Sequence, residues 1–481
     1  MNKIHLFVLA FLCIGYTQQA INAQCNPPTS LVQRDEFFSN PAFGIHISIK
    51  KDRLDRPYVY ITSKNAGIKI FDISSVNNPT LVATISPTLF GNLDAIQVVQ
   101  EGQLLYLTLG DIWNTNQEAG LAIIDVKNPL QAKVTDYYVH PGSIGGAGSV
   151  FIQNGLAYLA AMRNGLIILD IQDKNKIIFK SQVKFSNSFP HKDSANVAAY
   201  NARGIWVRDS IAYICYDRGG LRLVDVSNPL KIQQIAQYCF APLIDKATAY
   251  NAICIYKHYA FVSLDYYGME VLDISNPKNL KQVSWWHPMT WADTSTNFQT
   301  WANSKGHANE LIYDSSCHKI IMACGRTDLV VLDVADPMHP TTCSLFGSDS
   351  DDYGTWGIDF YKQKAYASYI WSPFFPPYSN YTGFRIVDVK DCQTTRTKQF
   401  FKGSLIQKFQ DPVADESIQI NLTDVFKQVQ LSIYTIEGLK LLEQSFQNRQ
   451  QLNIPFQANQ GIYYLVLQTK NQQEILKFFH R

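Results

Sequence analysis

Residues 220–225 read Gly-Leu-Arg-Leu-Val-Asp: a glycine, four mostly apolar residues and an aspartate. The pattern recurs as GIKIFD ending at Asp72, GLAIID at Asp125, GLIILD at Asp170, GMEVLD at Asp273 and GFRIVD at Asp388. It recurs once more as DLVVLD at Asp333, where Asp328 stands in the place of the glycine. With the copy ending at Asp225 there are seven. Successive aspartates are 45 (170 minus 125) to 60 (333 minus 273) positions apart. Asn-Pro or Asp-Pro follows at one offset in four copies: Asn128-Pro129, Asn228-Pro229, Asn276-Pro277 and Asp336-Pro337. Asn78-Pro79 follows at a longer offset, the third copy lacks the proline, and the seventh has Asp391-Cys392. Self-similarity at such a period marks an architecture of units that bury their faces only against one another.

An aromatic residue stands twelve positions before the aspartate where the intervening loop is short: Tyr60, Tyr158, Tyr213 and Phe261. Ile321 takes that place in the sixth copy, and Tyr106 and Tyr366 fill the role where the loop is longer. Upstream lies another short apolar run (GIHISI, AIQVV, SVFI, GIWV, AICIY, ELIY, GIDFY), and a fourth follows the proline, as in LVATI or KIQQIAQY. Each repeat therefore reads as four short strands separated by turns. One four-stranded unit cannot cover both of its faces, but units packed radially cover each other. The expected fold is all-β: a seven-bladed β-propeller over residues 24–402, followed by a small antiparallel β-sandwich over 403–481. A solenoid is the geometric alternative.

These residues resemble the LVIVD repeat family, whose core is apolar-x-apolar-Val-Asp followed by Asn/Asp-Pro. The resemblance runs from about Gly44 to Phe401 and implies a bacterial or archaeal surface protein without implying a reaction. The repeated aspartates Asp72, Asp125, Asp170, Asp225, Asp273, Asp333 and Asp388 invite a catalytic or metal reading. Each ends a strand and enters a turn, where a carboxylate accepts backbone N–H bonds. Seven equivalent copies around a ring do not converge on one site, so a structural role is expected.

The two ends carry addresses. Lys3, the apolar run Leu6–Ile14 and Ala20-Ile21-Asn22-Ala23 have the anatomy of a secretory signal peptide over 1–23. Gln24 before Cys25 argues against lipidation, and no later apolar run is long enough to span a bilayer. Eight cysteines follow the leader; they lack metal-type spacing, no pairing follows from sequence, and buried thiols are expected in AYICYD and NAICIY. From about Gln407 the pattern changes to alternating strands with tight turns. Asp411-Pro412, VQLSIYTIEGLKLL with Gly438, QGIYYLVLQ with Gly461, Ile462 and Tyr463, and the basic, aromatic end Lys477–Arg481 resemble the type A C-terminal sorting domain of the type IX secretion system. That resemblance implies the secretion machinery as a partner and a secreted or surface-attached product.

Lysine plus arginine (42) nearly balances aspartate plus glutamate (40), so no basic excess points to nucleic acid. In a blade, the turn between the second and third strands opens on the same face as the blade-to-blade connection. Here those loops are the irregular segments, and they place Trp113, Trp286, Trp291, Trp301, Trp356, Trp371, Phe374, Phe375, Tyr378 and Tyr381 on that face. Exposed aromatics beside Asp, Asn and His suit a glycan or peptide, although long loops also use aromatics to pack on themselves. The candidate ligand-binding residues are Trp113, Trp291, Trp301, His307, Trp356, Trp371 and Tyr378. Asp349, Asp351 and Asp352 form an acidic run without the glycine and glutamate of a calcium loop. His287, His307 and Asp293 approach the same mouth without a spaced zinc motif. No cofactor or metal is expected, and no phosphate loop, dinucleotide fingerprint or nucleophile elbow occurs. A non-catalytic binding propeller for a surface protein or glycan is the first expectation. A glycan hydrolase or lyase using Asp94 or Asp293 with Glu310 is the second, and a structural surface-layer component the third.

Overall fold

The computed structural model describes residues 30–31, 44–75, 78–113, 116–191, 199–244, 246, 248–287, 306–315, 317–325, 328–347, 353–371, 379, 381–389, 405–409, 417–435, 439–469 and 473–480. The chain divides into two compact units, Met1–Lys390 and Asp391–Arg481. The signal-peptide segment and the expected boundary at 402/403 lie outside the described residues.

In the first unit each repeat forms an antiparallel sheet whose strands pair in chain order. The first sheet comprises Ile47–Lys51, Pro57–Thr62, Ile68–Asp72 and Thr80–Ile85. Four more follow the same plan, ending with Tyr250–Tyr256, Tyr259–Leu264, Gly268–Asp273 and Lys281–Trp286. The sixth and seventh repeats merge into one eight-stranded sheet, in which Gly306–Asp314, Lys319–Gly325, Leu329–Asp333 and Thr341–Phe346 meet Thr355–Tyr361, Lys364–Tyr369 and Gly383–Asp388. The merger rests on a single pair, Gly325↔Thr355. The two residues Ser30–Leu31 pair with Ile386 and Arg385 on the outer side of the seventh repeat.

The strand sequences explain these positions. The third strand, which carries the repeat signature, is buried on both faces, so it reads as an unbroken apolar run: Leu166, Ile167, Ile168 and Leu169 are all fully buried. At about 1.5–3 kcal/mol for each fully buried aliphatic side chain, such a strand anchors its sheet. The fourth strand is half-exposed and reads as mixed. Between the third and fourth strands the register shifts at the same place in six repeats, just before the aspartate, as at Ile168/Leu169 and Leu223/Val224. The aspartate then closes the turn: Oδ1 accepts the N–H two residues on in Asp72, Asp125, Asp170, Asp225, Asp273 and Asp333, at 2.7–3.0 Å. Asp388 meets Lys364 Nζ, and the residue two positions on lies outside the described residues.

Neighbouring sheets are joined by recurring contacts. The aromatic residue twelve positions before the aspartate is buried against the next sheet, Tyr60 with Leu105 and Leu107, and Phe261 with Met322. Tyr366 of the seventh repeat packs in the same way with Ile47 and Ile49 of the first. A hydroxyl on the second strand donates to a carbonyl in or just before the first strand of the next sheet: Thr62 to Ile96 O (2.6 Å), Ser263 to Asn309 O (3.4 Å) and Ser368 to Ile45 O (3.1 Å). The turn after the second strand pairs with the next first strand through two backbone bonds, Lys64 with Ala95 and Met162 with Ala202. The Gly325↔Thr355 pair is this same contact, which accounts for the merged sheet.

In the second unit, Ile406–Phe409, Ser417–Phe426 and Arg449–Pro455 form a three-stranded sheet. Val429–Thr435, Lys440–Phe446, Gly461–Gln468 and Gln473–His480 form a four-stranded one. Alternate residues such as Ile418, Ile420 and Leu422, and Leu431, Ile433, Leu465 and Leu467, point into one shared core.

Candidate functional site at the mouth of the central channel

The first strands of all seven repeats line one channel of about 480 Å³, with Ile47, Val98, Val150, Ile205, Ile253, Leu311 and Ile358 each contributed by a different repeat. At the end where the second-to-third-strand turns lie, the channel adjoins a mouth pocket whose wall includes His46, Gln97, Ser149, Arg203, Glu310 and Trp356. The turns fix this rim. Lys64 (φ 49°), Met162 (φ 44°) and Asp217 (φ 49°) adopt left-handed backbone so that each turn can bridge to the next sheet.

Lys64 Nζ lies 3.4 Å from Asp94 Oδ2 and 3.2 Å from Asp111 Oδ2, and 5.3 Å from the ring centre of Trp113. Trp113, 40% exposed, stands 5.5 Å from Trp356 with the rings tilted by 58°. Gln117 accepts from the Asp94 N–H (2.8 Å) and donates to its Oδ1 (3.2 Å). Burial raises the pKa of Asp94 above the usual carboxylate range, with Lys64 and Gln117 opposing that shift. Across the mouth, Arg203 Nε lies 3.0 Å from Asp217 Oδ2, which also accepts from Asn201 Nδ2 (2.8 Å).

Below the rim the first strands bond to each other across sheets. His46 Nε2 lies 2.9 Å from Glu310 Oε1, while His46 Nδ1 accepts from Val98 N–H (3.3 Å), which places the ring proton on Nε2. Glu310 Oε2 accepts from Ile358 N–H (3.1 Å), and Gln97 Oε1 from Val150 N–H (2.8 Å). Asn251 Nδ2 donates to Ala308 O (3.0 Å), and Asn309 Nδ2 to Thr355 O (2.8 Å). Deeper in, Asp359 accepts from Ile49 N–H at 2.7 Å, and its burial raises its pKa.

Of the candidates read from sequence, Trp113 and Trp356 meet at the rim, and Trp371 is half-buried. Trp291, Trp301 and Tyr378 lie outside the described residues, as do Asp293 and the acidic run Asp349, Asp351 and Asp352. His307 is 1% exposed, with Nδ1 3.2 Å from the buried Asp265 Oδ1. Two aromatics expected on the open face are interior instead. Trp286 is buried and donates through Nε1 to Thr342 Oγ1, and Tyr381 is buried among Tyr353, Tyr369 and Arg385. Both are amphipathic rings whose polar atom finds a partner inside the fold. Asp94 and Glu310, weighed as a carboxylate pair, are each held by partners of their own, Lys64 with Gln117 and His46 with Ile358 N–H. Sequence reasoning missed His46, Gln97, Ser149, Asn251 and Asn309. The available signal was their place at or beside the start of each repeat's first strand.

Cys215, Cys239 and Cys254 carry free thiols, and burial pushes the Cys239 thiol up to about 11. Cys343 is disulfide-bonded. Among the described residues no helix is long and apolar enough to cross a membrane, and no cluster of metal-ligating side chains occurs.

Comparison with known proteins gives two family matches. The LVIVD repeat matches residues 57–86, 144–184, 200–238 and 251–284, and the secretion system C-terminal sorting domain matches 412–480. No curated protein matches the chain. Similar solved structures include the computationally designed Ika8 protein (TM-score 0.43, 10% identity, 82% of this chain and 96% of that one). The Cps50 (Swd1) β-propeller domain of Myceliophteria thermophila is similar at TM-score 0.47 and 10% identity, over 71% of this chain and 96% of that one. Sqt1 of Saccharomyces cerevisiae is similar at TM-score 0.46 and 10% identity, over 83% and 96%. The sorting domain directs export by the type IX system, with release or attachment at the cell surface. The chain carries LVIVD repeats in its first unit and a secretion system C-terminal sorting domain in its second.

Proposed function

We propose that the seven repeats close into one seven-bladed propeller over residues 24–402, displayed outside the cell after loss of a signal peptide (1–23) and export through the tail (403–481). Closure is supported by the seventh repeat meeting the first through the same hydroxyl bond, Ser368 to Ile45 O, that Thr62 and Ser263 make to their next sheets. The propeller is a non-catalytic recognition module that engages a surface glycan or protein through its loop-bearing face. The observation that carries this reading is the Trp113–Trp356 pair at the channel rim, flanked by Lys64, Asp94 and Asp111. Flat apolar rings beside polar groups anchor sugars and peptides, whereas the carboxylates there are occupied by internal partners. Trp291, Trp301, Trp371 and Tyr378 belong to the same proposed surface.

The test is an array of glycans and surface proteins probed with the purified chain and with a Trp113→Ala/Trp356→Ala variant. Selective binding that the variant loses supports the reading and names the ligand class. Binding that survives the double substitution, or no binding by either chain, counts against this face.

A further inference from the structure

We propose that the channel mouth is a binding site for a single neutral sugar ring, the terminal residue of whatever the recognition face engages; this rests on the recognition reading above. Ser149 is 6% exposed, lines both the mouth pocket and the channel, and its Oγ has no hydrogen-bond partner among the described residues. A buried hydroxyl without a partner is costly, so its retention at a cavity wall points to a partner supplied from outside.

The groups around Ser149 show what that partner is. Gln97 uses Oε1 on Val150 N–H, which leaves its amide N–H groups as donors. Asn251 and Asn309 use Nδ2 on backbone carbonyls, which leaves Oδ1 of each as an acceptor. Glu310 keeps further lone pairs beyond those on His46 and Ile358 N–H. The mouth thus mixes uncharged donors and acceptors beside the half-buried indole of Trp356. Arg203 is paired with Asp217, and both carboxylate oxygens of Glu310 already accept hydrogen bonds, from His46 Nε2 and Ile358 N–H, so the site does not call for an anion. A polyhydroxylated ring offers alternating O–H donors and acceptors on its edge and an apolar C–H face for the indole. The mouth pocket itself holds about 80 Å³ and opens into the channel of about 480 Å³, so a ring seated at the mouth extends into the channel.

The experiment is saturation-transfer difference NMR on the full chain with free D-glucose, D-galactose, D-mannose and N-acetyl-D-glucosamine. At least one sugar shows transfer. Ser149→Val, which replaces the unbonded hydroxyl with a methyl group and adds a second one, weakens it about tenfold. Gln97→Glu keeps the acceptor for Val150 N–H, removes the donor and also weakens binding. No transfer from any of the four sugars overturns the proposal. So does equal transfer in both variants when circular dichroism shows them folded; if Ser149→Val does not fold, Gln97→Glu alone decides. Array binding that needs Trp113 and Trp356 without monosaccharide transfer overturns the mouth site and leaves the recognition face standing. Transfer abolished by Ser149→Val without array binding leaves the mouth site and overturns the macromolecular reading.

Discussion

Arg385 Nη1 lies 3.1 Å from Asp328 Oδ2, with both side chains inside the protein. Asp328 is the residue that replaces the repeat's glycine, and it keeps the glycine-like backbone at φ 63°. Its Oδ1 accepts from Tyr369 Oη (2.6 Å) and Thr355 Oγ1 (2.7 Å), so it ties the sixth repeat to the seventh. The guanidinium of Arg385 sits 3.7 Å from the Tyr353 ring centre, with Tyr369 and Tyr381 around it. Restoring the glycine should therefore be harmful. Asp328→Gly leaves a buried cation and is expected to cost about 3–5 kcal/mol. The double variant Asp328→Gly/Arg385→Leu should recover part of that loss. Urea unfolding of the three chains checks it, and a single variant as stable as the parent would refute the pairing.

Glu270 gives a pH signature. It is buried, with burial pushing its pKa up to about 7, while hydrogen bonds from Tyr238 (2.5 Å), Gln282 (2.8 Å) and Tyr250 (3.3 Å) oppose the shift. The folded protein therefore holds this proton more tightly than the unfolded chain, whose glutamate titrates near 4.5. Its stability contribution is fully present below the unfolded value and is lost as pH rises through about 7. Relative to the parent, Glu270→Gln should gain about 3 kcal/mol between pH 4.5 and pH 8. A pH-independent difference between the two unfolding curves would show that Glu270 does not titrate in this window.

Close approach of neighbouring first strands makes certain glycines irreplaceable. A Cβ on Gly204 would stand 2.4 Å from Asn251 O, and one on Gly357 2.7 Å from Ile45 O, in each case backbone of the adjoining sheet. Gly204→Ala and Gly357→Ala are each expected to destabilise by about 1–3 kcal/mol. Gly102→Ala, with nothing near its Cβ but φ 59°, should lose only the smaller left-handed backbone penalty. Thermal melts order the three; a reversed order would show that the sheets can move apart.

The tail should act separately from the propeller. Deleting residues 412–480 in a host with a type IX system should leave the protein cell-associated and absent from the outer surface and medium, by immunoblot of fractions. The melting transition of the purified propeller should survive the deletion. Surface display without the tail would remove its role as an address.

Much of the fold was legible because it is written locally and repeatedly. The run Leu166–Leu169 is apolar at every position because its sheet is covered on both faces. Asp170 ends it because a carboxylate there captures Gln172 N–H. The candidate site was legible only in part. Trp113 and Trp356 could be placed on the open face, but Trp286 and Tyr381 could not be told from them, because both kinds of loop aromatic carry the same residue type. His46, Gln97 and Ser149 were invisible, since a polar residue beside a short apolar strand is ordinary in any sequence.

The sequence by itself determined the repeat, the strand order within each sheet, the aspartate-closed turn and the address at the C-terminus. Each depends on residues a few positions apart, where propensity and hydrogen bonding act within one unit. Only the tertiary structure decided which polar side chains share the channel. His46 meets Glu310, and Asn309 meets Thr355 O, because packing sheet against sheet brings first-strand residues of different repeats to the wall of one cavity. That convergence is a property of how the sheets are arranged together, and no single repeat carries it.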